Sequence, residues 1–232
     1  MEINRDIWKK SDINNLPCPH CNKSLKYKEI KTEQTERGEC MQDCNCESNE
    51  YIFTGELSCT CGNHFFIYGD KDTQEYQEKT TEKHQIKGIY PTLNLFKLPA
   101  SCPQTVKEEL IKSFALYWVD LKACANKIRI SIELFLDAEK IKKTKTYYDK
   151  KTQQKKKKNL TLYNRIKLYH KHDLKQFLHA NRIIGNKGSH SNKNQTLSED
   201  DVLDAYEFVC HVLTTVYETP KLKQKTQKYS SK

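Results

Sequence analysis

Four cysteines near the start of the chain have the spacing of metal ligands. Cys18 and Cys21 lie in the segment PCPHC, and Cys59 and Cys61 lie in SCTCGNHFF. A tetrahedral zinc ion takes four thiolates at roughly 2.3 Å, which two close cysteine pairs on separate turns can supply, and a closed set of four leaves no open position for catalysis. Gly62 can adopt the positive φ that turns backbone amides toward the thiolates. These residues predict one structural zinc ion, and unmetallated thiols are the alternative.

Three further cysteines, Cys40, Cys44 and Cys46, lie between the two pairs in the segment ECMQDCNCE. They could form a second metal site with His20 or His64, replace one of the four ligands, or lie in a hairpin loop. Three cysteines without an evident fourth partner favour none of these alternatives. The chain shows no signal peptide and no apolar membrane span, so we expect a cytoplasmic protein whose reducing surroundings favour metal over disulfides.

A second group of polar residues lies in the segment RIIGNKGSH, residues 182–190. Arg182, Asn186 and His190 are four residues apart, so on a helix they share one stripe and line a groove about 12 Å long. Gly185 and Gly188 leave room for another backbone or a phosphate. The alternative is a polar helix end.

Other charged residues could serve the same groove. Arg129 and Glu133 lie at positions i and i+4, which predicts either an ordinary helix-face ion pair or a pair that faces and orients His190. Arg182, Lys187 and Lys193 are candidate phosphate contacts.

Composition favours an anionic partner. The 232 residues carry a formal charge of +10, with 30% charged and 36% hydrophobic residues. Nucleic acid is the first candidate and an anionic membrane the second. Part of the excess is local, since residues 140–158 contain ten lysines. Such runs are typically solvated.

The elements that must position these residues are predicted to be mainly helical. Residues 69–88 look like a linker or an exposed hairpin, and 89–103 like an extended strap. One long helix is expected from a capping box at Thr105 to Phe135. Further helices are expected near Leu160, after an Asp173 cap and after a Ser198 cap.

The expected fold is therefore mainly α, an antiparallel helical bundle preceded by a small β module. The predicted domains are a metal-binding module at 1–68, a linker and docking strap at 69–104, the bundle at 105–218 and a basic tail at 219–232. A lysine-rich loop is expected within the bundle at 140–159.

Two stretches of the chain resemble known families. The cysteine pairs, each followed by a short strand, resemble a zinc ribbon. The runs YWVDLKACANKIRISIELFLD, LYNRIKLYHKHDLKQFLHANRIIGNKGSH and LSEDDVLDAYEFVCHVL resemble a bacterial domain family of unknown function. That family belongs to the HEPN superfamily of helical bundles and often follows a zinc ribbon, and the likeness covers about residues 105–218.

The resemblance implies a function that involves RNA. Many HEPN proteins are metal-independent ribonucleases with an Arg-Asn-x-x-x-His motif, composite across a homodimer, in which His acts as acid or base and Arg steadies the phosphorane. Here Asn186 and His190 keep their places, Gly185 stands at the Arg position, and Arg182 lies one turn earlier. We expect an RNA-binding module of stress or defence type. An endoribonuclease, or an adaptor for a partner nuclease or defence complex, are the alternatives.

Overall fold

The computed structural model describes residues 8, 13, 16–34, 48–76, 79–189, 196–220, 222 and 224. The chain divides into two compact units. One consists of residues 4–95 together with Tyr117–Val119, and the other chiefly of residues 96–116 and 120–232. We call them the sheet unit and the helical unit.

The sheet unit contains a four-stranded antiparallel sheet in the order β1-β2-β3-β4. Its strands are β1 (Lys26–Gln34), β2 (Ser48–Ser58), β3 (His64–Tyr76) and β4 (Lys79–Tyr90). Side chains alternate between the two faces of a strand, so Phe65 and Ile67 are buried whereas Phe66 is 57% exposed. The two turns that carry the cysteine pairs precede β1 and join β2 to β3.

The described residues of the helical unit form five helices and a two-stranded ribbon. The helices are α1 (Gln104–Val119), α2 (Leu121–Ala138), α3 (Leu162–Leu168), α4 (His172–Ser189) and α5 (Glu199–Tyr217). Helix α2 packs against α4 and α5, and α4 also contacts α3 and α5. The core between them is apolar and includes Leu110, Phe114, Ile128, Ile132, Phe135, Leu178, Tyr206, Val209 and Leu213. None of the helices described here has both the length and the apolar character that a membrane crossing requires.

The mainly α fold class predicted from the sequence was wrong. The structure is 46% helical and 28% strand, and a four-stranded sheet precedes the helical part. The described residues within 69–88, a segment predicted as a linker or an exposed hairpin, form paired parts of β3 and β4, so the hairpin alternative is confirmed. Cross-strand backbone hydrogen bonds hold this hairpin, so it does not need alternating apolar residues. Its sequence therefore lacks the apolar alternation by which strands are recognised.

The single long helix expected from Thr105 to Phe135 is two helices. Asp120 lies between them in an extended conformation, and its carboxylate accepts hydrogen bonds from the backbone N–H groups of Lys122 and Ala123. This N-cap starts α2 where the apolar pattern runs on without a break. The capping box predicted at Thr105 was also wrong, since α1 begins after Pro103 without a side-chain cap. The cap predicted at Ser198 is confirmed, and it forms a capping box with Asp201.

The lysine-rich stretch expected as a loop contains an antiparallel β-ribbon. Its strands are β5 (Thr144–Asp149) and β6 (Gln154–Asn159). Thr161, directly after the ribbon, caps α3 by accepting a hydrogen bond from the Asn164 backbone. Cross-strand pairing rather than burial holds the ribbon. Its lysine-rich strands therefore lack the hydrophobic pattern that indicates a strand in a sequence.

Candidate functional site

The four cysteines predicted as metal ligands lie together in the sheet unit. The sulfur atoms of Cys18, Cys21, Cys59 and Cys61 are all within 4.8 Å of one another. The Sγ atoms of Cys18 and Cys61 are 3.6 Å apart, and those of Cys21 and Cys59 are 3.3 Å apart. These separations are too long for disulfides. The residues present can hold one metal ion.

Two tight turns aim the thiols at this point. In the first turn the Cys18 N–H donates to the Lys23 carbonyl at 2.8 Å, and in the second the Gly62 N–H donates to the Cys59 carbonyl at 2.9 Å. Gly62 has a φ of +87°, as its sequence position predicts. Since other residues rarely adopt this φ without strain, glycine is required for the tight second turn.

The cluster favours charge on one thiol and opposes it on another. The side-chain amide of Asn63 donates to Cys61 Sγ at 3.0 Å and lowers the pKa of Cys61 to about 6. The Lys23 backbone N–H lowers the pKa of Cys21, but the Cys59 thiol and desolvation outweigh it and raise that pKa to about 12. A bound divalent cation would remove this conflict, because it deprotonates its thiol ligands outright.

Other candidate ligands do not join the cluster. His20 is exposed, and the His64 ring contacts the Glu56 carboxylate instead. Cys40, Cys44 and Cys46 lie outside the described residues, so none of the three roles considered for them is tested.

A second candidate site is an open pocket of about 540 Å³ in the helical unit. It is lined by residues of α2, of the N-terminal part of α3 and of α4: Arg129, Thr161, Leu162, Tyr163, Arg182 and Asn186. Three of these, Arg129, Arg182 and Asn186, were candidate site residues from the sequence.

The two arginines of the pocket differ in their partners. Arg129 Nη2 forms an ion pair with Glu133 at 2.9 Å, and its Nη1 donates to the Asn126 side chain at 3.3 Å. Arg182 has no carboxylate partner among the described residues, and its guanidinium lies 5.3 Å from the centre of the Tyr163 ring. The Nε atoms of both arginines are buried and have no hydrogen-bond partner in the described part of the chain.

Tyr163 lies close to two cationic side chains, Arg182 and Lys167, and to one histidine. Lys167 Nζ lies 4.3 Å from the ring centre, and the His179 ring lies 5.0 Å away. Burial, followed by the charges of Arg182 and Lys167, lowers the pKa of His179. The side chain of Tyr163 is nevertheless 41% exposed. The pocket therefore combines excess positive charge with an accessible aromatic ring.

The two glycines of α4 allow α2 to approach closely. A Cβ at Gly185 would lie 2.5 Å from the Cβ of Arg129, and a Cβ at Gly188 would lie 2.5 Å from the Lys122 carbonyl oxygen. Such distances are far below van der Waals contact, so any side chain there would force the helices apart. Gly185 thus places the Arg129 side chain beside Asn186 in the pocket.

The remaining predicted residues have different positions. Glu133 holds Arg129, as one of the two interpretations of that pair required. Lys187 forms an ion pair with Asp201 at 3.1 Å and does not line the pocket. His190 and Lys193 lie outside the described residues. Tyr163 was not among the residues predicted from the sequence. The signal that could have identified it is its place away from the apolar face of α3, four residues before Lys167.

Comparison with known proteins gives a family for the helical unit. Neither the search of curated proteins nor the search of solved structures found a significant match. A family model described as "Domain of unknown function (DUF4145)" matches residues 112–232, which cover α2 to α5, the ribbon and the pocket. The match covers just over half of the chain, and the chain therefore belongs to the DUF4145 family.

Proposed function

We propose that the protein binds RNA through the pocket of the helical unit. The observation that carries this proposal is the Arg182 guanidinium, which has no carboxylate partner among the described residues and lies over the exposed Tyr163 ring beside Arg129. A phosphate oxygen is a good acceptor for guanidinium donors, and Arg182 lines an open pocket that a phosphate can enter. An RNA phosphate would give the Arg182 guanidinium the anionic partner that the described residues do not supply. Arg129, held by Glu133 and Asn126, would add positive charge to the same pocket.

Tyr163 gives the pocket a reason to prefer a nucleic-acid strand over a free anion. Unstacked bases of RNA loops and ends stack on exposed aromatic rings. The net charge of +10 adds a long-range attraction for a polyanion. The resemblance to the HEPN superfamily, many of whose members act on RNA, supports the same proposal.

We propose zinc as the metal of the four-cysteine cluster. Four sulfurs held tetrahedrally at 2.3 Å from zinc lie about 3.8 Å apart, close to the 3.3 Å and 3.6 Å separations of the two cysteine pairs. Thiolates are soft ligands, and a closed tetrahedral set of four is typical of a structural zinc site. Metal analysis of the purified protein is the test, with one zinc per chain expected.

The RNA proposal is tested by the affinity of the full chain for a fluorescent single-stranded oligoribonucleotide. Arg182→Gln should weaken binding at least tenfold, since a hydrogen bond to a charged group contributes about 1.5–3 kcal/mol. The control is Lys175→Gln, which removes the same charge from the same helix outside the pocket lining. Equal affinities of the two variants, or no binding by the unaltered chain, would contradict the proposal.

A second candidate function is a dimeric, metal-independent endoribonuclease. One observation favours it: the Arg129 Cβ occupies the space beside Gly185, where the HEPN motif has its arginine. Arg129 would then supply the missing guanidinium, with His190 as acid or base. RNA incubated with the protein in EDTA should yield 2′,3′-cyclic phosphate ends, and His190→Ala and Arg129→Gln should abolish them. Equal cleavage by all three proteins would reveal a contaminant and eliminate this candidate.

A further inference from the structure

The β5–β6 ribbon has two faces of different chemistry. Tyr148 pairs with Lys155 across the ribbon, and Thr146 pairs with Lys157. Because neighbouring residues of a strand alternate between faces, Tyr148, Lys155 and Lys157 share one face with Thr144, Thr146 and Asn159. All six residues are exposed, and none carries a negative charge. We call this the Tyr148 face.

The opposite face carries the ribbon's only carboxylate. The Asp149 carboxylate forms an ion pair with Lys156 Nζ at 2.5 Å. It also accepts a hydrogen bond from the Lys151 backbone N–H at 2.9 Å. It therefore neutralises one lysine and shapes the turn. Tyr147, Lys145 and Lys158 lie on this opposite face. The two faces thus have one tyrosine and at least two lysines each, but only the Tyr148 face lacks a negative charge.

The many lysines of the ribbon do not help it to fold. Residues 140–158 contain ten lysines and one acidic residue, Asp149. Of these lysines only Lys143, with Asp137, and Lys156 form an ion pair with the described residues. On the Tyr148 face, Lys155 and Lys157 are like-charged neighbours on one strand, and an isolated two-stranded ribbon is at best marginally stable in water. A bound polyanion would remove the repulsion between the lysines.

We infer that the Tyr148 face binds single-stranded RNA, with Lys155 and Lys157 on phosphates and Tyr148 stacked on a base. Lys155 and Lys157 are two residues apart on one strand, which separates them by about 6.8 Å. This is close to the separation of successive phosphates along an RNA strand. Tyr148 is 58% exposed and lies directly opposite Lys155, so one strand could meet both. Aromatic stacking beside positive charge is the usual way of holding single strands.

A membrane surface fits the ribbon less well. Segments that lie in the membrane interface combine basic residues with an apolar face of residues such as Trp, Phe or Leu. Residues 144–159 contain no aliphatic residue, Trp or Phe. Their only large hydrophobic side chains are two tyrosines, whose rings can stack on bases.

The inference rests on the proposed RNA-binding function and adds a second contact to it. The test measures the affinity of the full chain for single-stranded RNA at several salt concentrations. It compares Lys155→Gln/Lys157→Gln with Lys145→Gln/Lys158→Gln, which removes the same charge from the opposite face. Log affinity falls with log salt, and each phosphate contact contributes about 0.7 to the steepness of that fall. The first variant should therefore make the fall less steep by about 1.4. The second variant should leave the slope near its original value.

The tyrosines provide an independent comparison. Tyr148→Ser should weaken RNA binding about tenfold, since one base stacked on an aromatic residue contributes about 1–3 kcal/mol. Tyr147→Ser should change it little. Equal effects of the paired variants, while Arg182→Gln still weakens binding at least tenfold, would overturn the inference and leave the pocket proposal intact. Absence of RNA binding by the unaltered chain would overturn both, and so would binding only to phosphatidylserine vesicles.

Discussion

The two units of the protein are held together in different ways. The sheet unit brings four cysteine thiols together at one end of its sheet, whereas the β3–β4 hairpin at the other end is mostly polar. The helical unit has a continuous apolar core. In it the ring centre of Phe114 lies 5.3 Å from the ring centres of both Phe96 and Tyr206. The ring centres of Phe96 and Tyr206 are 6.2 Å apart. The sheet unit also buries apolar side chains such as Phe53, Leu57 and Ile67, but its stability should depend in addition on a ligand, whereas that of the helical unit should depend on buried area.

Removal of the metal should have the largest effect and should act on the sheet unit alone. Structural zinc sites contribute apparent binding free energies of about 10–16 kcal/mol in small zinc modules, more than any single core side chain. Calorimetry of the full chain should show two transitions, of which a chelator lowers only one. Cys59→Ser should reproduce this effect and reduce the bound metal.

The control for this prediction is Cys102→Ala, a buried cysteine of the helical unit that lies outside the cluster. It should leave the metal content and the chelator-sensitive transition unchanged. A single transition that chelator shifts as a whole would show that the two units do not have separate sources of stability.

Truncation in the helical core should have the next largest effect. Phe114 is fully buried, so Phe114→Ala should lower the free energy of unfolding of the helical unit by about 3–5 kcal/mol. Urea titration followed by circular dichroism at helical wavelengths measures the change. Metal content should stay at its original value, and loss of metal in this variant would contradict the comparison.

The sequence predicted the sites that depend on local spacing. The two cysteine pairs and the positive φ of Gly62 follow from short motifs, because each tight turn fixes its own neighbouring residues, whereas strand pairing brings the two turns together. Ser198 was predictable as a cap for the same reason.

The features that the sequence did not predict depend on partners distant in the chain. The four-stranded sheet depends on the pairing of β2 with β1 and β3, and the break at Asp120 interrupts an apolar pattern that is itself continuous. Tyr163 belongs to the pocket because α3 lies beside α4. The need for glycine at position 185 becomes clear only from its distance to Arg129 on another helix.

A methyl group at Gly185 should have a smaller effect than loss of Phe114. Alanine is favoured over glycine in a helix by up to about 1 kcal/mol, but overpacking typically costs about 1–3 kcal/mol. Overpacking should outweigh propensity here, since the added Cβ would also lie 3.1 Å from the Ala125 carbonyl oxygen, on the rigid backbone of α2. Gly185→Ala should therefore lower the melting temperature of the helical unit and weaken RNA binding, because Arg129 must move. Unchanged stability with unchanged RNA affinity would contradict the close approach of the two helices.

The smallest expected effect is a pH dependence confined to the helical unit. Burial raises the pKa of Asp137, but hydrogen bonds from Lys143 and Arg165 and their charges outweigh it, so the net pKa lies below its usual 3.8. Arg165 is itself buried and donates to Asp137 at 2.6 Å. A lowered pKa in the folded state gives stability that is present above pH 3.8 and is lost as the pH falls through the folded value. Because Asp137 is partly exposed, we expect this contribution to the free energy of unfolding to be about 1 kcal/mol.

The melting temperature of the helical unit between pH 5 and pH 2.5 measures this pH dependence. Asp137→Asn should remove this part of the acid sensitivity while the metal-dependent transition keeps its own, and an equal loss in both transitions would show that the acid effect is not local to Asp137.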